Sequence, residues 1–299
     1  MELILEDALL SSEDGLVQSG DNIWFHFQKY PWNLSNQKKN PHAGEHYRHI
    51  KARLSLGLAD PSNATFLKGT YHLGISPHIY SYYHLMTDLL PHLIRTPRFP
   101  VLLPNFIPKI FNDFLKEAGF ETYILRSDVF RVEKLYIPEV IIPNWNKEKV
   151  KNVQSFINNL FPRFVYDKSK SQKKIYISRK LARKRHLTNE NDFLELLEKN
   201  DFHKVYLEQM SICDQINLFQ SASHIIAAHG AGLTNVIFTP SDTKILEIRP
   251  IISSGQFCFE NLFSLGWPNS EFFVPPNVGS FKLPPTALRE VLIRWNCFN

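Results

Sequence analysis

The chain of 299 residues has little glycine, 12 residues, and less cysteine, only Cys213, Cys258 and Cys297. An odd, widely spaced set with no CxxC pair excludes a disulfide scaffold and a zinc site built on paired cysteines. It points to a reducing compartment. No run reaches the roughly 18 apolar residues of a membrane span. The opening "MELILEDALLSSEDG" is acidic where a secretory leader is basic. The expectation is a cytoplasmic protein with at most peripheral contact at the inner membrane face. The formal charge is +5, from 34 basic and 29 acidic residues. That is too mild for a nucleic-acid binder and suits an anionic ligand. A basic cluster runs from Lys168 to Arg185.

Several catalytic signatures are also missing. There is no Gly-x-Ser-x-Gly, which excludes the nucleophile elbow of lipase-like hydrolases. There is no P-loop, and no Asp-x-Asp to hold a divalent ion. His46 and His49 stand three apart in "EHYRHI" without a second ligand pair, so zinc is not expected.

What remains is a patterned α/β chain. "YSYYHLMTDLLPHL" has Tyr82, Leu85, Leu89 and Leu93 at helical spacing. "FPVLLP", "TYIL" and "KLYIPEVIIP" read as strands around the helix "IPKIFNDFLKEAGF". After the helix "KEKVKNVQSFINNLF" and the basic stretch, the alternation becomes regular. "KKIYISR", "HKVYL", "HIIAA" and "TKILEIRP" are strands separated by helices of 10–13 residues, the mark of parallel βαβ units. The expected domains are 1–165 and 166–280. A last helix over 281–299 is expected to cross back to the first domain.

With glycine so scarce, "HIIAAHGAGLTN" stands out, because Gly230 and Gly232 flank Ala231 after a buried strand. Such a turn either serves only the chain reversal or lets an anion approach the backbone at a helix start. A dinucleotide fingerprint is disfavoured, since its third glycine is replaced by Asn235.

The segment from Leu207 to Pro250, "LEQMSICDQINLFQSASHIIAAHGAGLTNVIFTPSDTKILEIRP", resembles the signature block of glycosyltransferase family 61. "IYISRKLARKRHLTNENDF" resembles its Ile-Ser-Arg block, and "YSYYHLMTDLLPHL" its upstream Tyr-x-His…Asp-x-x-Pro segment. The three stand in the family's order over roughly residues 78–250. The resemblance implies a GT-B fold, two Rossmann-like domains facing a central cleft. It also implies an inverting, metal-independent transfer from a nucleotide-sugar donor, a UDP-sugar by base rate, to a glycan or lipid-linked oligosaccharide acceptor. A bacterial-type surface polysaccharide is the expected product. The rival is a non-catalytic nucleotide-binding scaffold.

Under that resemblance Gly230, Ala231 and Gly232 offer N–H groups to the diphosphate, joined by Thr234 and Asn235. His229 meets a phosphate oxygen or the sugar, or merely ends its strand. Arg179 closes its strand and suits a two-pronged bond to a diphosphate. One of Arg183 and Arg185 joins it. Glu247 suits the ribose hydroxyls, or else pairs with Arg249. Asn189 and Glu190 are expected to cap the next helix. In the first half His84 and Asp88 share a helix face at i and i+4. They are expected to supply the base, Asp88 first, or to form a structural pair; His72 and His78 are weaker candidates.

Overall fold

The computed structural model describes residues 3–12, 15–20, 22–25, 28–30, 62, 64–75, 78–127, 129–137, 145–160, 172–182, 185–249, 258–275 and 282–298. The chain forms two compact units, Met1–Pro143 and Asn144–Asn299. Both are mixed α/β, as the alternation implies.

The first unit is built on one sheet in the order β4-β3-β2-β1-β8-β5-β6-β7. The strands are β1 (Leu3–Ser11), β2 (Val17–Ser19), β3 (Asn22–Phe25), β4 (Gln28–Tyr30), β5 (Thr65–Leu73), β6 (Val101–Leu103), β7 (Thr122–Ile124) and β8 (Val129–Ile137). β1 to β4 form an antiparallel meander, and β1 joins β8 antiparallel, from Leu3 opposite Ile137 to Ser11 opposite Val129. The other four are parallel. Their order places β8 on one side of β5, with β6 and β7 on the other, so the winding reverses beside β5. Leu10, Leu73, Leu102, Val132 and Leu135 fill the core beneath the junction of the two kinds of pairing.

Helix α1 (residues 82–93) follows the carboxyl end of β5. It begins with an α turn, Tyr82–His84, widens to a π stretch, Leu85–Leu89, and closes with Leu90–Leu93. Pro91 has no N–H to give the carbonyl of Thr87, which accounts for a ladder that abandons α spacing just before it. Leu85, Met86 and Leu89 are buried and anchor the helix. Helix α2 (Lys109–Glu117) then crosses from β6 to β7.

The second unit is wound on a five-stranded parallel sheet, ordered β10-β9-β11-β12-β13. Its strands are β9 (Lys173–Ile177), β10 (Phe202–Val205), β11 (Ala222–Ala228), β12 (Lys244–Ile248) and β13 (Ser270–Phe273). Helices α3 (Lys147–Leu160), α4 (Asn191–Glu198), α5 (Ile212–Gln220), α6 (Cys258–Ser264) and α7 (Pro285–Arg294) accompany it. Tyr176, Ile226 and Leu246 pack on Phe193 and Leu197 of α4 and on Leu288 and Leu292 of α7. The alternate positions Ile175, Ile225 and Ile245 point to the other face and are buried too. A parallel sheet needs cover on both sides, which explains why these strands are apolar at nearly every position.

Two boundaries differ from the sequence expectation. The division falls between Pro143 and Asn144, and α3 belongs to the second unit. The Gln154 side-chain amide ties it there by donating to the Ile237 carbonyl at 2.6 Å. The terminal helix α7, expected to return to the first domain, packs its apolar face into the second unit's own core.

Each unit also carries a strand histidine with a depressed pKa, His72 buried and His224 half-buried. His72 of β5 is 1% exposed, and burial depresses its pKa to about 4 despite the bond from Nδ1–H to the Leu73 carbonyl. His224 of β11 is likewise lowered to about 4, by burial and then by Lys244 and Lys174. Above pH 6.5 both are neutral folded and unfolded. Between 6.5 and 4 only the unfolded chain takes the proton, so acid removes stability. For His72 this amounts to about 2 kcal/mol by pH 5. Denaturant unfolding at pH 7 and pH 5 should show that loss, and His72→Gln should flatten the pH dependence of the first unit. An unchanged slope in the variant would assign the loss elsewhere.

Candidate active site

In open parallel sheets the crevice for a ligand lies outside the carboxyl ends of the strands where the winding reverses. In the second unit that place is between β9 and β11. The chain leaves β9 through Ser178 and Arg179, and leaves β11 through His229 and Gly230. Ser178 is buried. Its backbone N–H donates to the Val205 carbonyl, and its Oγ accepts the Lys180 N–H at 3.2 Å. Ala182 N–H closes a turn on the Arg179 carbonyl at 3.0 Å, so the backbone that carries Arg179 is fixed.

Arg179 lies directly on the glycine turn. A Cβ added to Gly230 would stand 1.9 Å from its Nη1 and 2.7 Å from its Cζ. Gly230 has φ of 173°, an extended backbone open to any residue. Glycine is needed there for space, not for a left-handed backbone. A Cβ on Gly232 would meet Leu207 Cδ1 at 2.6 Å, so the second glycine makes room for the 207–209 turn.

The segment after the turn, Ala231–Phe238, is helical as expected, in the 3₁₀ form. Its first bond runs from Leu233 N–H to the Gly230 carbonyl at 3.0 Å, leaving the N–H groups of Ala231 and Gly232 ahead of the ladder. Thr234 and Asn235 are fully buried. The Asn235 amide donates to Gln215 Oε1 at 2.9 Å, and Gln215 in turn donates to the Leu207 carbonyl at 2.9 Å. This chain braces the turn from behind, and neither side chain reaches its surface.

Arg185 is exposed with φ of 65°, and its charge is close enough to disfavour the charged form of Arg179. Burial of Arg179 lowers that pKa first, Arg185 adds to the effect, and Glu208 opposes it. Two guanidinium groups held against mutual repulsion are poised for an anion. Arg183 lies outside the described residues, as do His46 and His49. Beside Arg179 a cavity of about 140 Å³ is lined by His186, Thr188, Glu190 and Asn191 among others. Glu190 does not cap α4 with its side chain; it accepts the Tyr176 hydroxyl at 2.9 Å. Asn189 clamps Leu283 through both its backbone groups, at 2.9 and 3.1 Å.

Glu247 is fully buried. His229 Nδ1–H donates to its Oε1 at 2.5 Å, and Arg249 Nε donates to its Oε2 at 3.0 Å. The pairing with Arg249 is thus the one the structure shows, and no carboxylate oxygen is presented to a ribose. The His229 ring also meets Phe259 edge-on.

In the first unit, His84 and Asp88 pair across one helical turn, Nδ1–H donating to Oδ2 at 2.7 Å. The side chains are 26% and 15% exposed, so the imidazole stands nearer the solvent and the carboxylate behind it. Asp88 Oδ1 is buried with no hydrogen-bond partner among the described residues. His78 lies over His84, ring centroids 4.9 Å apart. His72 sits in the core.

Among the described residues no three His, Cys, Asp or Glu side chains come together as a metal site, and no helix is long and apolar enough to cross a membrane.

Both units therefore place polar side chains where a parallel winding reverses. The family model for Glycosyltransferase 61 matches residues 82–246, from α1 into β12. The chain belongs to glycosyltransferase family 61. It is a glycosyltransferase, taking a sugar donor and a glycan acceptor in the general sense of the family. No curated protein matches it.

The two glycines should differ on substitution. Gly230→Ala must expel the Arg179 guanidinium, whereas Gly232→Ala meets only the flexible end of Leu207. Titration with pyrophosphate should show affinity reduced about tenfold or more for Gly230→Ala, the loss of a charge-assisted pair, and a smaller change for Gly232→Ala. Equal affinities in Gly230→Ala and the parent would remove Arg179 from the anion site.

Proposed function

We propose that the chain is an inverting, metal-independent glycosyltransferase of the GT-B type, transferring a sugar from a nucleoside diphosphate, UDP in the first instance, to a glycan hydroxyl. The observation that carries this reading is the Arg179 guanidinium resting on Gly230 at the reversal point of the second unit's sheet. The diphosphate takes its bonds from Arg179, from Arg185 and from the N–H groups of Ala231 and Gly232. These offset charge where the other common sugar-transferase design uses a divalent ion. Thr234 and Asn235 act from behind by keeping the turn in place. The first unit binds the acceptor.

The order of exposure in the His84–Asp88 pair favours His84 as the base and Asp88 as the residue that orients it. The acceptor hydroxyl gives its proton to His84 Nε2 while its oxygen attacks the anomeric carbon from the side opposite the leaving group. The bond from that carbon to the β-phosphate oxygen breaks, and its electron pair leaves with the nucleoside diphosphate. An α-linked donor then yields a β-linkage. A bacterial-type surface polysaccharide suits such a product, with the reaction on the cytoplasmic side.

A panel of UDP- and GDP-sugars with glycan acceptors, followed by nucleotide release, tests the scheme. His84→Ala and Asp88→Asn should each lower kcat by about 10²–10⁴ with UDP affinity retained. EDTA should leave the rate unchanged. Loss of activity in EDTA, restored by manganese, would overturn the metal-free mechanism. Donor binding by the parent without turnover of any acceptor would favour a scaffold.

A further inference from the structure

Glu247 lies at the end of β12, sealed from solvent, with each oxygen facing one base: His229 Nδ1 at 2.5 Å and Arg249 Nε at 3.0 Å. Arg249 is itself fixed from two further sides. Its Nη1 donates to Glu260 Oε2 at 3.2 Å, and its guanidinium lies 3.4 Å over the Phe272 ring. Glu247 thus stands between two donors, and Arg249 between two carboxylates. His229 stands immediately before the glycine turn. The bond to Glu247 uses Nδ1 alone, which leaves Nε2 as the other polar atom of a side chain that is 8% exposed. A carboxylate behind one ring nitrogen fixes both the orientation of the ring and the face it presents.

We propose that Glu247, braced by Arg249, is a positioning residue that holds His229 with Nδ1–H turned inward, so that Nε2–H meets the diphosphate of the donor. This rests on the donor site proposed above. It replaces the expected ribose contact of Glu247 with an indirect role. During transfer, charge builds on the β-phosphate oxygen as its bond to the anomeric carbon breaks. The Nε2–H bond strengthens with that charge, and no proton has to move.

The test uses UDP and GDP as probes and the whole chain. The ring nitrogens of His229, assigned in the NMR spectrum with His229→Asn, should show a protonated Nδ1 in the free protein and a shifted, protonated Nε2 once nucleotide is bound. Calorimetry should show nucleotide bound about tenfold more weakly by His229→Asn and by Glu247→Gln, and the nucleotide-induced change at the His229 ring should be lost in Glu247→Gln. The spectrum of the unsubstituted protein decides the matter even if that variant misfolds. Nucleotide binding with no change at His229 would sink the positioning role and leave the donor site standing. Absence of binding, or binding indifferent to Arg179→Ala, would sink the donor site itself.

Discussion

The guanidinium of Arg179 against the bare Cα of Gly230 is the constraint around which the second unit is arranged. Bringing a half-buried cation onto a backbone turn requires three conditions at once. The residue at 230 must have no side chain, the backbone at 179 must be pinned, and the turn must not retreat. Buried Ser178 and the turn it starts meet the second condition. The Asn235–Gln215–Leu207 chain meets the third. The parallel order of the sheet makes the contact possible at all, since β9 and β11 are neighbours although α4, β10 and α5 lie between them in the chain.

The same edge shows how a buried charge is made tolerable. Glu247 would be costly alone in the interior, and it is retained between two hydrogen-bond donors, His229 and Arg249. Arg249 is held from four sides, by Glu247, Glu260, Phe272 and the Phe273 carbonyl that accepts its backbone N–H, which makes it a rigid partner rather than an adaptable one. The His84–Asp88 pair of the first unit is built on the same plan with a looser setting: a carboxylate behind, an imidazole in front and aromatic rings at the side.

The second unit was the more legible in sequence. Its strands are apolar at nearly every position because both sheet faces are covered, and each is separated from the next by a helix, amphipathic except for the buried Ala231–Phe238 segment. The meander of the first unit was not legible as a sheet. β2, β3 and β4 are only three or four residues long, and β1 pairs with β8, well over a hundred residues away. Nothing local in "LILEDALLS" names that partner. The His84–Asp88 pair was readable because i,i+4 neighbours meet whatever the tertiary fold. The π stretch was carried by Pro91 but looks like any proline within a helix. Glu247 and Arg249 sit two apart on one strand, so their shared face was visible, whereas the burial that closes the carboxylate to a ribose was not. The spatial reason for Gly230 depends on a side chain fifty residues earlier, and no pattern within "HGAG" reports it.

The packing of α7 has a consequence for biosynthesis. Leu288 and Leu292 cover Tyr176, Ile226 and Leu246, strands made long before them. On the ribosome that face of the second unit's sheet is therefore covered by α4 alone until residues 285–295 appear. A nascent chain halted in the 270s would carry its nucleotide-side turn fully synthesised on a half-clothed sheet. Such an intermediate is a natural client for chaperones, and a stop codon there would be more harmful than the small number of missing residues suggests.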